Sequence, residues 1–140
     1  MYCLDANIWI YYLDETLSEH DAVSDSVSGI LAEEPLFSTT VLQMEVVHYL
    51  QHQLADSQQA IDQFLHLEDV TTAELTQNDV SAAAETLHSH PDTGIGGRDA
   101  TVVAAMDRNG VTELWTHDGG LKRLEASLDW LTVVDPVEES

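Results

Sequence analysis

The stretch YCLDANIWIYYL, residues 2–13, is a short apolar run followed directly by an aromatic-rich segment. Residues 2–5 read as a first strand, and Ala6–Leu13, with Trp9, Tyr11 and Tyr12, reads as a helix. An aspartate, Asp5, therefore stands at the carboxyl end of a strand, where the chain turns into a helix. Working outward, the same succession recurs. His20–Glu33 carries Val23, Val27, Ile30 and Leu31 as one apolar stripe, Pro35 ends it, and residues 36–38 form a second short strand. Thr39 or Thr40 caps a helix to about Gln53, with Leu42, Val46, Tyr49 and Leu50 facing a core. A helix over residues 56–67 leads to an extended segment or edge strand over residues 69–73.

Thr76-x-x-Asp79 has the form of a capping box for a helix to about His88. HPDTGIGG, residues 90–97, reads as a mobile Pro/Gly loop. A helix over residues 98–108 stops at Asn109-Gly110. Residues 112–116 are a strand, Asp118-Gly119-Gly120 a turn, residues 121–128 a helix and residues 131–134 a last strand. With no repeat and no linker, residues 1–140 read as one α/β domain, a central parallel sheet of four to five strands flanked by helices.

The composition is ordinary in its 44% hydrophobic residues and extreme in charge, with 26 acidic against 4 basic residues and a formal net charge of −22. Self-repulsion on that scale suggests disorder, but the regular apolar periodicity opposes it. Concentrated salt shortens the Debye length to about 3 Å at 1 M and screens the repulsion. The balance, with Lys122 as the only lysine, therefore points to a salt-rich cytoplasm of a halophilic archaeon. There, long-range charge neither favours nor excludes a nucleic-acid partner. No 18-residue apolar run indicates a membrane span, and the N-terminus has no basic signal-peptide region, so a cytoplasmic location is expected. Cys3, alone and in an apolar run, reads as a small buried hydrophobe.

In open α/β sheets ligands bind beyond the carboxyl ends of the strands. Asp5 lies at one such end and Asp118 just past another, so parallel strands place both on one rim. Each alone is equally a turn or cap aspartate. Asp99 stands i+3, i+4 and i+7 before Val102, Val103 and Met106, in line with the buried stripe of its helix. A carboxylate there is costly unless paired or coordinated. Glu45 lies beside the apolar side of its helix and alone reads as a boundary glutamate. Carboxylates that share a pocket need cations or protons. An all-oxygen set suits Mg²⁺ or Mn²⁺, whose usual work there is hydrolysis at phosphorus. Three of the four basic residues, Arg98, Lys122 and Arg123, lie beside Asp99 or soon after Asp118, as phosphate contacts would; pairing within a helix explains them equally well.

LDAN at residues 4–7, TTVLQMEVVHYL at 39–50, GRDATVVAAM at 97–106 and LWTHDGGL at 114–121 occur in the order found in PIN domains, and the sequence resembles their single-domain VapC-like toxin ribonucleases. The resemblance implies a parallel sheet flanked by helices and an acidic cleft that cuts RNA with Mg²⁺ or Mn²⁺. It assigns Asp5, Glu45, Asp99 and Asp118 as catalytic metal-holding acids, with Asn7 and Thr116 in support. It also implies a small antitoxin partner and a homodimer. The family often carries an acid and an aromatic just after the last aspartate, where this chain has Gly120 and Leu121; a second metal site is weakened accordingly.

Two other readings remain at this point. One is a PIN-like domain that binds RNA or protein without cutting. The other is a helical di-metal carboxylate protein built on Glu45-x-x-His48 and Glu85-x-x-His88, with Glu33 or Glu34 and Glu125 as further ligands. His48 and His52, four residues apart, read as a solvated pair or a weak zinc site, and His117 as a substrate contact or turn filler.

Overall fold

A computed structural model describes residues 1–139. Five strands, β1 (Tyr2–Leu4), β2 (Leu36–Thr39), β3 (Val70–Ala73), β4 (Glu113–Trp115) and β5 (Thr132–Val134), pair in the order β3-β2-β1-β4-β5. Every pairing is parallel. Parallel pairing requires crossover connections, and helices supply them: α1 (Ala6–Leu13), α2 (His20–Glu33), α3 (Thr40–Gln53), α4 (Ser57–Leu65), α5 (Gln77–Ser89), α6 (Gly97–Arg108) and α7 (Gly119–Glu125). The chain builds outward from β1 through β2 to β3, then returns to the other side of β1 to lay down β4 and β5. The order of strands thus reverses between β1 and β4. At such a switch point the connections diverge and leave a crevice at the carboxyl ends.

The sheet and helices enclose one buried apolar cluster, in which Trp9, Phe37, Leu42, Met106, Leu114 and Leu124 are almost fully covered. Trp9 meets the edge of Phe64 on α4, with ring centroids 5.1 Å apart. Cys3 is buried and unpaired, and burial pushes its thiol far above the usual range. Asp79 at the start of α5 closes the capping box with Thr76. Among the described residues no helix is long and apolar enough to cross a membrane.

The elements depart from the sequence expectations at glycine-rich and polar ends. Helix α4 is shorter than residues 56–67, beginning after Asp56 without a side-chain cap bond and ending at Leu65. The Asp118-Gly119-Gly120 turn is the start of α7, because the Asp118 carboxylate accepts from the Leu121 amide and caps the helix. Two poor helix formers in its first turn hide that start from a periodicity reading. The loop at residues 90–97 holds a single 3₁₀ turn, Pro91–Thr93, and is anchored at Thr93. Arg123 Nε and Nη2 donate to the Thr93 carbonyl at 3.0 and 2.8 Å. The five-stranded parallel sheet rules out the di-metal helical bundle. Of its proposed ligands, Glu33, Glu34, Glu85 and His88 are exposed, and Glu125 accepts from the Val133 amide.

Candidate active site at the strand switch

Strand β1 ends at Leu4, opposite Trp115 of β4, so the next residues, Asp5 and Thr116, leave the sheet side by side. The Asp5 amide donates to the Trp115 carbonyl at 2.9 Å, which fixes this alignment. Asp5 then caps α1, its Oδ1 accepting from the Ala6 amide at 2.9 Å. Its Oδ2 accepts from the Thr116 hydroxyl at 2.7 Å and, at a longer 3.5 Å, from the Asn7 amide group. The Thr116 hydroxyl in turn accepts from the Asp118 amide at 3.0 Å and from Asn7 Nδ2 at 3.3 Å, while Asn7 Oδ1 accepts from the His117 amide. Asn7 and Thr116 are therefore positioning groups: they tie the first and last acidic segments together and turn Asp5 in one direction.

Asp5 is only 5% exposed. Burial pushes its carboxyl up to about 7, with the nearby charges of Asp99 and Glu45 adding to the rise and the Thr116 and Ala6 bonds opposing it. Burial also raises Asp99, with Asp118 adding to the shift. It raises Glu45 as well, where Arg98 opposes and Asp99 adds. The four acids thus feel one another: Asp5 with Asp99 and Glu45, Glu45 with Asp99, and Asp99 with Asp118. Asp5 and Asp118 cap α1 and α7 just past β1 and β4, while Glu45 and Asp99 come from α3 and the first turn of α6. An all-oxygen set in which burial raises the carboxyls of Asp5, Glu45 and Asp99 fits a hard dication, whose charge would offset that rise.

The carboxylates are not drawn together as they would be on an ion. Among the described residues, the one group of three potential ligands within 4.8 Å of each other is His117, Asp135 and Glu138. A cation already occupies that group. Lys122 Nζ lies 2.8 Å from Asp135 and 2.7 Å from Glu138, and His117 Nδ1 lies 2.8 Å from Asp135. Asp135 is buried, which would raise it, yet the Lys122 and His117 bonds hold it below the usual carboxylate range. Sequence reading missed Asp135; its signal was the Asp-Pro turn, in which Asp135 Oδ1 accepts from the Val137 and Glu138 amides.

Of the basic residues, Lys122 is thus committed to Asp135 and Glu138, and Arg123 to Thr93. Arg98 is the one that faces the acids, with Nε 3.6 Å from Glu45 and a side chain 76% exposed. It lines an open groove of about 1040 Å³ together with Glu45, Ile10, Met44, His48 and Tyr49. Gly120 has a packing explanation. A Cβ there would sit 3.0 Å from the Thr93 carbonyl oxygen and 3.1 Å from both Asp118 Oδ2 and Ile95. The anchored loop lies directly on the first turn of α7, and a larger residue at 120 fits only if these neighbours shift.

The family model described as "PIN domain" matches residues 2–126. Solved structures agree in fold. A Mycobacterium tuberculosis VapC20 structure, described as a sarcin–ricin-loop-cleaving toxin, superposes with a TM-score of 0.75 at 17% identity, over 89% of this chain and 95% of that one. The VapBC2 structure from Rickettsia felis, bound to a promoter DNA fragment, gives 0.69 at 15% identity over 95% and 96%. A toxin–antitoxin complex from Klebsiella pneumoniae gives 0.67 at 18% identity over 97% and 98%. No curated protein matches the chain.

Proposed function

The chain belongs to the PIN-domain family, and on that premise we propose that it is a single-domain, metal-dependent endoribonuclease, the toxin of a toxin–antitoxin pair. The observation that carries this reading is that Asp5 and Thr116 leave adjacent strand ends with Asp118 next to them, while Asp5, Glu45 and Asp99 are each raised by burial and by a neighbouring acid of the four. Asp5, Asp99 and Asp118 would hold Mg²⁺ or Mn²⁺, and Glu45 would ligate the ion or orient its water. Such an ion makes bound water a nucleophile at neutral pH and stabilises charge on the phosphate. The chain's own residues do the rest. Thr116 and Asn7 orient Asp5, and Arg98 offers a guanidinium to a backbone phosphate beside Glu45. Lys122 pairs with Asp135 and Glu138, and Arg123 bonds the Thr93 carbonyl, which leaves Arg98 as the first candidate for phosphate contact.

The toxin part of the proposal draws on the fold's likeness to VapC and VapBC structures. It carries an antitoxin partner, a homodimer and a cytoplasm rich in salt. A second copy would meet the face formed by Val41, Leu75, Val80, Ala83 and Leu87. Leu75 and Val80 are among the most exposed large hydrophobic side chains, and the face carries no acid. On a chain of net charge −22, such a surface lets two copies approach with the least repulsion.

The test is RNA cleavage in molar KCl with Mn²⁺, comparing the wild type with Asp5→Asn and Asp99→Asn. Each variant should lose roughly 100-fold or more in rate, since the ion's charge stabilisation is worth several kcal/mol. Equal cleavage by all three would sink the site. Intact Mn²⁺ binding with no cleavage of any RNA would favour a binding-only domain.

A further inference from the structure

Helix α3 carries Glu45 and, one and two turns further on, His48 and His52. All three line the same groove. Residues four apart on a helix are neighbours on one face, and here the two imidazoles stand with ring centroids 4.5 Å apart and planes tilted by 56°. Among the described residues, neither ring has a hydrogen-bonding or acidic partner of the kind that engages His66, which bonds the Asp62 carbonyl, or His117, which pairs with Asp135. Two imidazoles that ligate one dication at about 2.0–2.1 Å, at a tetrahedral angle, place their ring centres about 5 Å apart. The observed centroid separation of 4.5 Å is close to that value. Imidazole nitrogen suits Zn²⁺, Ni²⁺ and Cu²⁺, whereas the all-oxygen rim suits Mg²⁺ or Mn²⁺. The histidine pair and the acidic rim therefore differ in the ions they favour.

We propose that His48 and His52 form a clamp for a borderline transition-metal dication, and that an ion held there obstructs the groove that Glu45 and Arg98 also line. The clamp supplies two nitrogen ligands, and water fills the remaining positions. Glu45, one turn before His48, lies close enough along the helix for the ion's charge to act on it and on Arg98. The consequence for cleavage rests on the nuclease reading; the clamp itself does not.

The test uses the untagged full-length chain in molar KCl, titrated with Ni²⁺ by calorimetry. The wild type should show a Ni²⁺ site that His48→Gln and His52→Gln each weaken by about tenfold or more, while Asp99→Asn and His117→Gln leave it in place. Unchanged Ni²⁺ affinity in both His48→Gln and His52→Gln overturns the clamp. With Mn²⁺ saturating, added Ni²⁺ should slow RNA cleavage by the wild type and not by His48→Gln. Equal slowing of both would place the inhibitory ion at the acids and overturn the obstruction. A wild type that binds Ni²⁺ through the two histidines and cuts no RNA would retain the clamp and count against the nuclease reading alone.

Discussion

Asp5 satisfies two demands that conflict. It caps α1 and is gripped by Thr116, which favours a charged carboxylate, yet it is buried among other acids, which favours a proton. Its ordinary value is 3.8, and in the fold it rises to about 7. Between those values the native chain keeps a proton that the unfolded chain has released. Stability from this group is therefore lost as pH climbs from about 4 to about 7, and is level above that. Without divalent metal, Asp5→Asn should remove this slope and, near pH 8, unfold at a higher temperature than the wild type. The gain is on the order of 2–4 kcal/mol, at about 1.4 kcal/mol for each tenfold change in proton affinity. A wild type that loses nothing between pH 5 and 8 relative to the variant would contradict the buried, coupled carboxyl. Mn²⁺ should reverse the ranking, raising the unfolding temperature of the wild type but not of Asp5→Asn.

Gly120 gives a second prediction at this scale. Gly120→Ala should cost about 1–3 kcal/mol, because its methyl meets the Thr93 carbonyl and Ile95 at near-clash distances. Denaturant titration measures it, and an unchanged midpoint would show that the loop gives way freely. Asp5, Asp118 and Asp99 carry local signals, strand ends and an apolar stripe, whereas Glu45 alone reads as a boundary glutamate and enters the set through the family resemblance. The partners of Lys122, Arg123 and Asp135 were not legible in the sequence, since these contacts span 13 to 30 residues and leave no periodic trace.

At the scale of elements, α5 and α6 are clasped by one ion pair. Arg108 at the end of α6 grips Asp79 in the first turn of α5, with Nε and Nη2 each 2.9 Å from a carboxylate oxygen. Asp79 is 2% exposed, and the Arg108 hydrogen bonds hold it below the usual range. Arg108→Ala leaves that carboxylate buried without its guanidinium and should cost about 2–3 kcal/mol. Denaturant unfolding checks it; a loss below about 0.5 kcal/mol would mean that the Thr76 bonds suffice for Asp79. The Thr76–Asp79 box was readable as a helix start, because its two residues serve each other across one turn. That Asp79 also holds a second helix was not readable, since Arg108 lies 29 residues away. Helix boundaries read correctly where a capping residue met an apolar stripe, as at Thr39 and Thr76, and shifted where glycines opened a helix, as at Asp118.

At the scale of the molecule, strand order was beyond the reach of periodicity. The alternation of strands and helices implied parallel pairing, but only the structure shows β1 at the centre and the reversal between β1 and β4 that brings Asp5 beside Thr116. Charge acts at this scale too. With a net charge of −22, the fold should be weakened by its own field in dilute buffer, where the Debye length is about 10 Å at 0.1 M, and strengthened as salt screens it. The unfolding temperature should rise steadily from 0.1 M to molar KCl, and a flat or falling profile would contradict that screening.

Four acids on one rim should act as a single site for a hard dication. Mn²⁺ titration followed by electron paramagnetic resonance, in molar KCl and without RNA, tests it directly. One Mn²⁺ site in the wild type and in His48→Gln, lost or weakened by about tenfold or more in Asp5→Asn and Asp99→Asn, is the predicted result. Mn²⁺ binding of the same strength in both aspartate variants would contradict it.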